Sequence, residues 1–186
     1  AIVPNIQFNS SVFDGFVNCI KTGSLNNAAN GGNIFNGPSS FTNSGGGILY
    51  FGNGTPDIFN GDVEFTTIST SSRINPGWNS LGNLFNGNIT VNSTTGATGI
   101  EFNAGTTSAT STLASGKTIQ IGTAGYSAGY LRLERFTQLG SAPITLSLSP
   151  SANFFHIGPN SNIGGNISVE APSINNINQS VFNGTS

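Results

Sequence analysis

Few residues in this chain can do chemistry. Seven carboxylates (Asp14, Asp57, Asp62, Glu64, Glu101, Glu134, Glu170), one histidine (His156) and one cysteine (Cys19) are all that 186 residues offer for acid–base, nucleophilic or metal-binding work. No partner stands at ligand spacing from His156 in Asn153-Phe154-Phe155-His156-Ile157-Gly158, and no Ser/His/Asp set can be assembled around it from sequence. Asp62 and Glu64 lie two residues apart, on one face of a strand. Glycoside hydrolysis needs two opposed carboxyl groups at a set separation, which this pair does not define, so a solvated face is the simpler reading. Arg132, Glu134 and Arg135 are the densest charge cluster and read as a local ion-pair patch that fixes packing. Trp78, within Asn75-Pro76-Gly77-Trp78-Asn79, reads as the cover of a corner insertion, with an exposed sugar platform as the alternative. Cys19 cannot form a disulfide within the chain and reads as a small buried hydrophobe. The Gly-Gly-x-Gly-x-Asp nonapeptide of calcium-loaded β-rolls is absent. The chain is therefore expected not to be an enzyme and to carry no cofactor and no metal site.

The elements that position these residues follow from composition and repetition. Charged residues are 6% of the chain against a usual value of about 25%, while Gly and Asn number 26 each. Hydrophobic residues at 35%, with 14 Phe, set the chain apart from disordered sequences, which combine low hydrophobicity with high net charge. A net charge of −2 with only Lys21, Arg73, Lys117, Arg132 and Arg135 as cations argues against a nucleic-acid partner. No apolar run is long enough to span a membrane as a helix. Abundant Asn, Gly, Ser and Thr with little Cys, Lys or Glu suits an exported surface protein. The sequence opens at Ala1 without an initiator Met or signal peptide, and an export signal is expected upstream of it.

One short phrase recurs: an aliphatic residue, Phe, Asn or Asp, then Gly. It appears as Val12-Phe13-Asp14-Gly15, Ile34-Phe35-Asn36-Gly37, Ile58-Phe59-Asn60-Gly61, Leu84-Phe85-Asn86-Gly87 and Val181-Phe182-Asn183-Gly184. Degenerate copies start at Leu113, Leu139 and Ile163, giving steps of 22, 24, 26, 29, 26, 24 and 18 residues. A period in the twenties with drifting length is the signature of a solenoid coil, because corners tolerate insertions and stacked faces do not. A longer period joins the two ends. Asn9-Ser10-Ser11-Val12-Phe13-Asp14-Gly15 matches Asn178-Gln179-Ser180-Val181-Phe182-Asn183-Gly184 at an offset of 169, with Pro4-Asn5-Ile6 and Pro172-Ser173-Ile174 upstream of each.

Between the phrases, segments such as Asp62–Thr66, Asn88–Asn92, Thr118–Ile121, Gly129–Glu134, Ile144–Leu148 and Asn166–Glu170 alternate apolar and polar as strands do. Hairpin turns would recur every 8–12 residues or so, about half the spacing seen. In a stack of coils the Phe of each phrase forms an interior ladder, each ring burying ~150–250 Å². The Asn-Gly is expected to turn a corner, Gly accepting positive φ, while Asn amides bond from coil to coil. Equivalent positions lie only ~4.8 Å apart, so a charge in the phrase would meet its like, which accounts for the scarcity of charge.

The prediction is an all-β chain with no substantial helix: a parallel β-solenoid (β-helix) of about seven coils of roughly 24 residues. It is expected to run as one continuous segment over 1–186, with a 169-residue super-repeat at about 12–180 and the start of the next. The residues expected to carry its role are those of the phrase: Phe13, Gly15, Phe35, Asn36, Gly37, Phe59, Asn60, Gly61, Phe85, Asn86, Gly87, Phe182, Asn183 and Gly184. Gly31–Gly37, Pro56–Val63, Gly82–Val91 and Leu113–Ile119 resemble the very large tandem-repeat surface proteins of Bacteroidota. That resemblance implies secreted extracellular adhesins or fibres. The expected function is then a structural repeat that stacks into a stiff shaft, with further copies end to end, or laterally, as partners. A carbohydrate-binding or carbohydrate-active β-helix is the alternative, and an ice-binding surface a third; Thr66–Thr70 and Thr106–Thr110 are its Thr-rich stretches.

Overall fold

The computed structural model describes residues 1–27, 29–78, 82–105, 110–175 and 180–184. Those residues form short strands and turns, with no helix among them. The strands assemble into three parallel sheets of eight, eight and six strands, which are the faces of a β-solenoid. Ile34–Phe35, Ser39–Asn43 and Gly47–Phe51 make the first complete turn, and Asn162–Ile163, Ile167–Glu170 and Ile174–Asn175 the sixth. Ile2–Val3, Val12–Phe13 and Val17–Lys21 precede these turns, and Val181–Phe182 follows them. The face that carries the repeat phrase thus has eight rungs among the described residues, while the complete turns number six, against the seven or so coils expected. The broad face contains Ser39–Asn43 and its equivalents, and the third face contains Gly47–Phe51 and its equivalents.

Stacking is in register. Val12, Ile34, Ile58, Leu84, Thr112, Thr137, Asn162 and Val181 occupy one column. Beside it the rings of Phe13, Phe35, Phe59 and Phe85 lie nearly parallel at 5.1, 4.9 and 5.1 Å. Phe35, Phe59 and Phe85 are fully buried, and Phe41, Phe51 and Phe65 meet this column edge-on from the other two faces. Offset and edge-to-face rings satisfy the aromatic quadrupole as well as burying area.

Two expectations are corrected. The degenerate copies are displaced by one or two residues: Leu113 pairs with Phe85 and Ile163 with Phe182, so each fills the place of the Phe, not of the aliphatic residue before it. Thr137, not Leu139, continues the column, and Phe136 supplies the buried ring at that level. What stacking preserves is which side chain points inward; the surrounding phrase is free to drift.

The second correction concerns the phrase glycines. Gly15, Gly37, Gly61, Gly87 and Gly184 do not have positive φ. For Gly37, Gly61, Gly87 and Gly184 the role is close approach, while a Cβ on Gly15, at the first rung, would meet nothing within 4 Å. A Cβ on Gly61 would come within 2.5 Å of the Gly37 backbone, and one on Gly87 within 2.3 Å of the Gly61 carbonyl oxygen. Glycine stacks on glycine because the corner backbones leave no room for a methyl group.

Truncation of a ring in the middle of the column leaves a cavity that its in-register neighbours cannot collapse into. Phe59→Ala is expected to cost about 3–5 kcal/mol and Phe13→Ala clearly less, because Phe13 at the first rung is only half-buried; chemical denaturation of the two variants checks the order.

Candidate functional site

The predicted functional residues, those of the phrase, form a corner that runs the length of the solenoid. On its outside the amide of Asn36 donates to Asp14 Oδ1 at 2.7 Å, Asn60 to Asn36 at 2.7 Å, and Asn86 to Asn60 at 2.8 Å. Each amide both donates and accepts, so one residue type can continue the chain of bonds indefinitely. Asp14 only accepts, and it sits at the end, where no second charge meets it. Asn183 donates to Asn162 at 2.9 Å, a neighbour two residues off the column. Of the segment that carries the long offset, 176–179 lie outside the described residues.

The other two corners carry polar ladders that the sequence reading missed. Where the third face turns into the phrase face, the residues just before the phrase column at Asn33, Asp57, Asn83 and Ser111 are buried. Asp57 Oδ1 accepts the Asn33 N–H at 2.8 Å, Asn83 Oδ1 accepts the Asp57 N–H at 2.9 Å, and Ser111 Oγ accepts the Asn83 N–H at 3.0 Å. Asp57 Oδ2 takes the Gly52 N–H at 2.6 Å. Burial pushes the Asp57 carboxyl up, and its hydrogen bonds from Asn33 and Gly52 partly offset that. The signal lay in the aligned copies, which read Ser11, Asn33, Asp57, Asn83 and Ser180 at this place. At the remaining corner Lys21, Asn43, Thr67 and Ser93 stack in register with no exposure. Lys21 Nζ donates to the carbonyls of Gly23 and Gly46, both at 2.7 Å, and burial pulls its pKa down. Thr67 Oγ1 donates to Ser93 at 2.8 Å, so this Thr faces the interior and not an outer Thr lattice; residues 106–109 lie outside the described residues.

The third face gathers the charges. Arg132 does not pair with its sequence neighbour Glu134; it reaches Glu101 at 2.7 Å, one coil away, and Arg73 meets the same carboxylate at 3.3 Å. Arg132 also lies over the Tyr130 ring at 4.4 Å, with Phe154 stacked beyond. Arg135 pairs with Glu134 at 3.4 Å, and His156 Nε2 stands 3.7 Å from Glu134. Burial and the nearby Glu101 raise the Glu134 pKa; burial and Arg132 lower that of His156. Each charge is answered within the cluster. No group of three or more His, Cys, Asp or Glu suited to a metal occurs among the described residues. Trp78 packs on Tyr50 at 5.0 Å with its ring over Gly105, covering a corner, and Cys19 is buried.

Asp62 and Glu64 do share a concave surface, a groove of about 640 Å³ on the outer side of the broad face. Both belong to one rung, and no acid opposes them among the lining residues, so the carboxylates do not have the opposed arrangement of a glycosidase. At the C-terminal end a cleft of about 320 Å³ is lined by Phe155, Ile157, Ile167, Val169, Ile174 and Phe182. This is the solenoid interior laid open, and Ile174, Val181 and Phe182 are 49, 52 and 41% exposed. The N-terminal end differs: Ile6 is buried, and Phe8 packs edge-on against Phe13 at 5.0 Å. Compared with protein-family models, curated proteins and solved structures, the chain has no match.

The buried corner ladder and the charge cluster each yield a test. Asp57→Ala strands the N–H groups of Asn33 and Gly52 and is expected to cost at least about 3 kcal/mol in denaturant unfolding. For His156, the folded state binds the proton more weakly than the unfolded chain, so stability declines as pH falls through the ordinary histidine range. Glu134 has the opposite sign, gaining stability on acidification, but in the carboxylate range. Melting temperature should therefore drop between about pH 7 and 5, and His156→Gln should flatten that drop.

Proposed function

We propose that this chain is a structural repeat of a secreted bacterial cell-surface filament or giant adhesin, and that its task is mechanical: to extend a stiff shaft by stacking one repeat on the next. The observation that carries this reading is the return of the phrase, at the eighth rung, to the column in which it starts. Val12 and Phe13 stand at the first rung of the phrase face and Val181 and Phe182 at the last, in the same column. On the side of the following coil Phe13 is covered by Phe35, stacked on it at 5.1 Å. Nothing among the described residues does the same for Phe182, which is left at the rim of an apolar cleft. A following coil of the same kind fits that cleft, and further copies of the repeat are the natural partner. The sheets, in register except at the insertion within Ile119–Tyr126, support stiffness, since a bend would have to break ladder bonds on a face. The place outside the cell and the bacterial surface rest on composition and on the resemblance of the repeat phrases.

A tandem chain in which residue 180 is followed directly by residues 12–186 tests the shaft. Seven further rungs at ~4.8 Å add about 34 Å of length. Small-angle scattering should show one rod longer by that amount, and the tandem should melt in a single transition above that of one copy. Two bodies on a flexible joint, with no gain in melting temperature, would sink the reading. Phe13→Asp in the second copy, which takes the place of Phe182 at the junction, should uncouple the two halves, because it places a charge in the new interior.

A further inference from the structure

The groove on the broad face is the one place where two departures from the repeat meet. Its floor is regular: Asn18, Ser40, Glu64, Thr90 and Gln120 project outward from successive rungs in one register column. Its two ends are not. At the N-terminal end stands Phe16, 66% exposed, at the corner position that holds Pro38, Asp62, Asn88 and Thr118 in the following coils. No other coil from residue 16 to 118 puts an aromatic ring there. At the far end the strand Ile119–Tyr126 carries an insertion. Ile121 pairs with Val91 and Tyr126 with Ser93, so residues 122–125 stand opposite Asn92 alone and form a bulge in the strand. Gly122 and Thr123 of this insertion line the groove. Four rung spacings, about 19 Å, separate the two ends. Breaks in an otherwise consistent pattern concentrate at functional sites, and here both border one trough.

We propose that this trough binds a neutral or amino-sugar glycan chain laid along the solenoid axis. A sugar ring has an apolar C–H face and a rim of hydroxyls. Phe16 offers a ring for the first, and the floor offers amides, hydroxyls and two carboxylates for the second. Glu64 already accepts from Asn92 Nδ2 at 2.7 Å and from Ser40 Oγ at 3.4 Å, which fixes its carboxylate in place. Asp62 Oδ1 accepts the Asn88 N–H at 2.7 Å and is anchored at the corner. A carboxylate keeps further lone pairs for the hydroxyl or ammonium donors of a ligand. No cation is among the described residues that line the groove, so phosphate, sulfate and uronate ligands meet net repulsion. An extended peptide gains nothing from the floor, whose main-chain groups are engaged in the sheet and offer no edge for strand addition. A volume of about 640 Å³ is that of a ligand groove. The site binds and does not cleave, because the acids lie on one rung with none opposite. It does not rest on the shaft reading, which concerns the ends of the molecule.

The full chain is titrated calorimetrically with cello-, xylo- and manno-oligosaccharides, a chitosan oligosaccharide, an oligogalacturonate and an extended neutral peptide. Saturable binding of at least one neutral or amino sugar is expected, with none for the oligogalacturonate or the peptide. Phe16→Ala and Glu64→Gln should each weaken it about tenfold, ~1.4 kcal/mol, while Leu139→Ala on the phrase face leaves it unchanged. All three side chains point outward, and melting temperature verifies their folding; should either groove variant unfold, Asn18→Ala and Gln120→Ala take its place. No saturable binding, tightest binding of the oligogalacturonate or the peptide, or unaltered affinity in both groove variants overturns the proposal.

Discussion

Each turn of this backbone lies directly over the one before at the spacing of a parallel sheet, ~4.8 Å, and nearly every other feature answers to that. At such a spacing a residue's nearest neighbour is its own equivalent one coil away. Residue types that gain from meeting themselves accumulate, and types that lose are excluded or placed where the column is broken. Phe on Phe buries area and aligns rings. Asn on Asn continues a chain of amide bonds. Gly on Gly lets the corner backbones touch. A carboxylate gains nothing from its like, and each one in a column faces a neutral or cationic neighbour: Asp14 beside Asn36, Asp57 between Asn33 and Asn83, Glu101 beside Arg132.

The corners are where a solenoid is most exposed to failure. Within a face backbone N–H and C=O groups pair from rung to rung, but at a turn the ladder is interrupted, and buried groups left without partners are costly. This chain resolves its three corners in three ways. Exposed amides bridge the first, inward Asn, Asp and Ser side chains accept backbone N–H groups at the second, and Lys21, Asn43, Thr67 and Ser93 form a buried polar column at the third. Strength in the faces is apolar and in the corners polar, and a coil needs both to close.

Regularity builds the molecule, and irregularity gives it surfaces that can recognise something. The stacked faces present water with a repeating set of neutral side chains, none distinguished from the next. Where the pattern breaks the surface becomes particular, as along the groove between Phe16 and residues 122–125. The charge cluster of the third face is also irregular, but its partners neutralise one another and leave little to offer a ligand.

The sequence by itself determined the axis of the fold. The spacing of Phe13, Phe35, Phe59 and Phe85, and the alternation between them, sufficed for parallel coils with stacked rings and an outer Asn ladder, because a repeat in one dimension is written directly as a period. Where the phrase decayed, the alignment slipped by a residue at Leu113 and Ile163, since only the inward direction of a side chain, which composition does not record, holds the register. Contacts between coils that share no motif were decided by the tertiary structure. Arg132 reaches Glu101 across 31 residues of chain, and Phe16 and Thr123 face one groove from opposite ends. Proximity there comes from how many coils intervene and which face each residue joins, and the lengths of the corner insertions that set this follow no period.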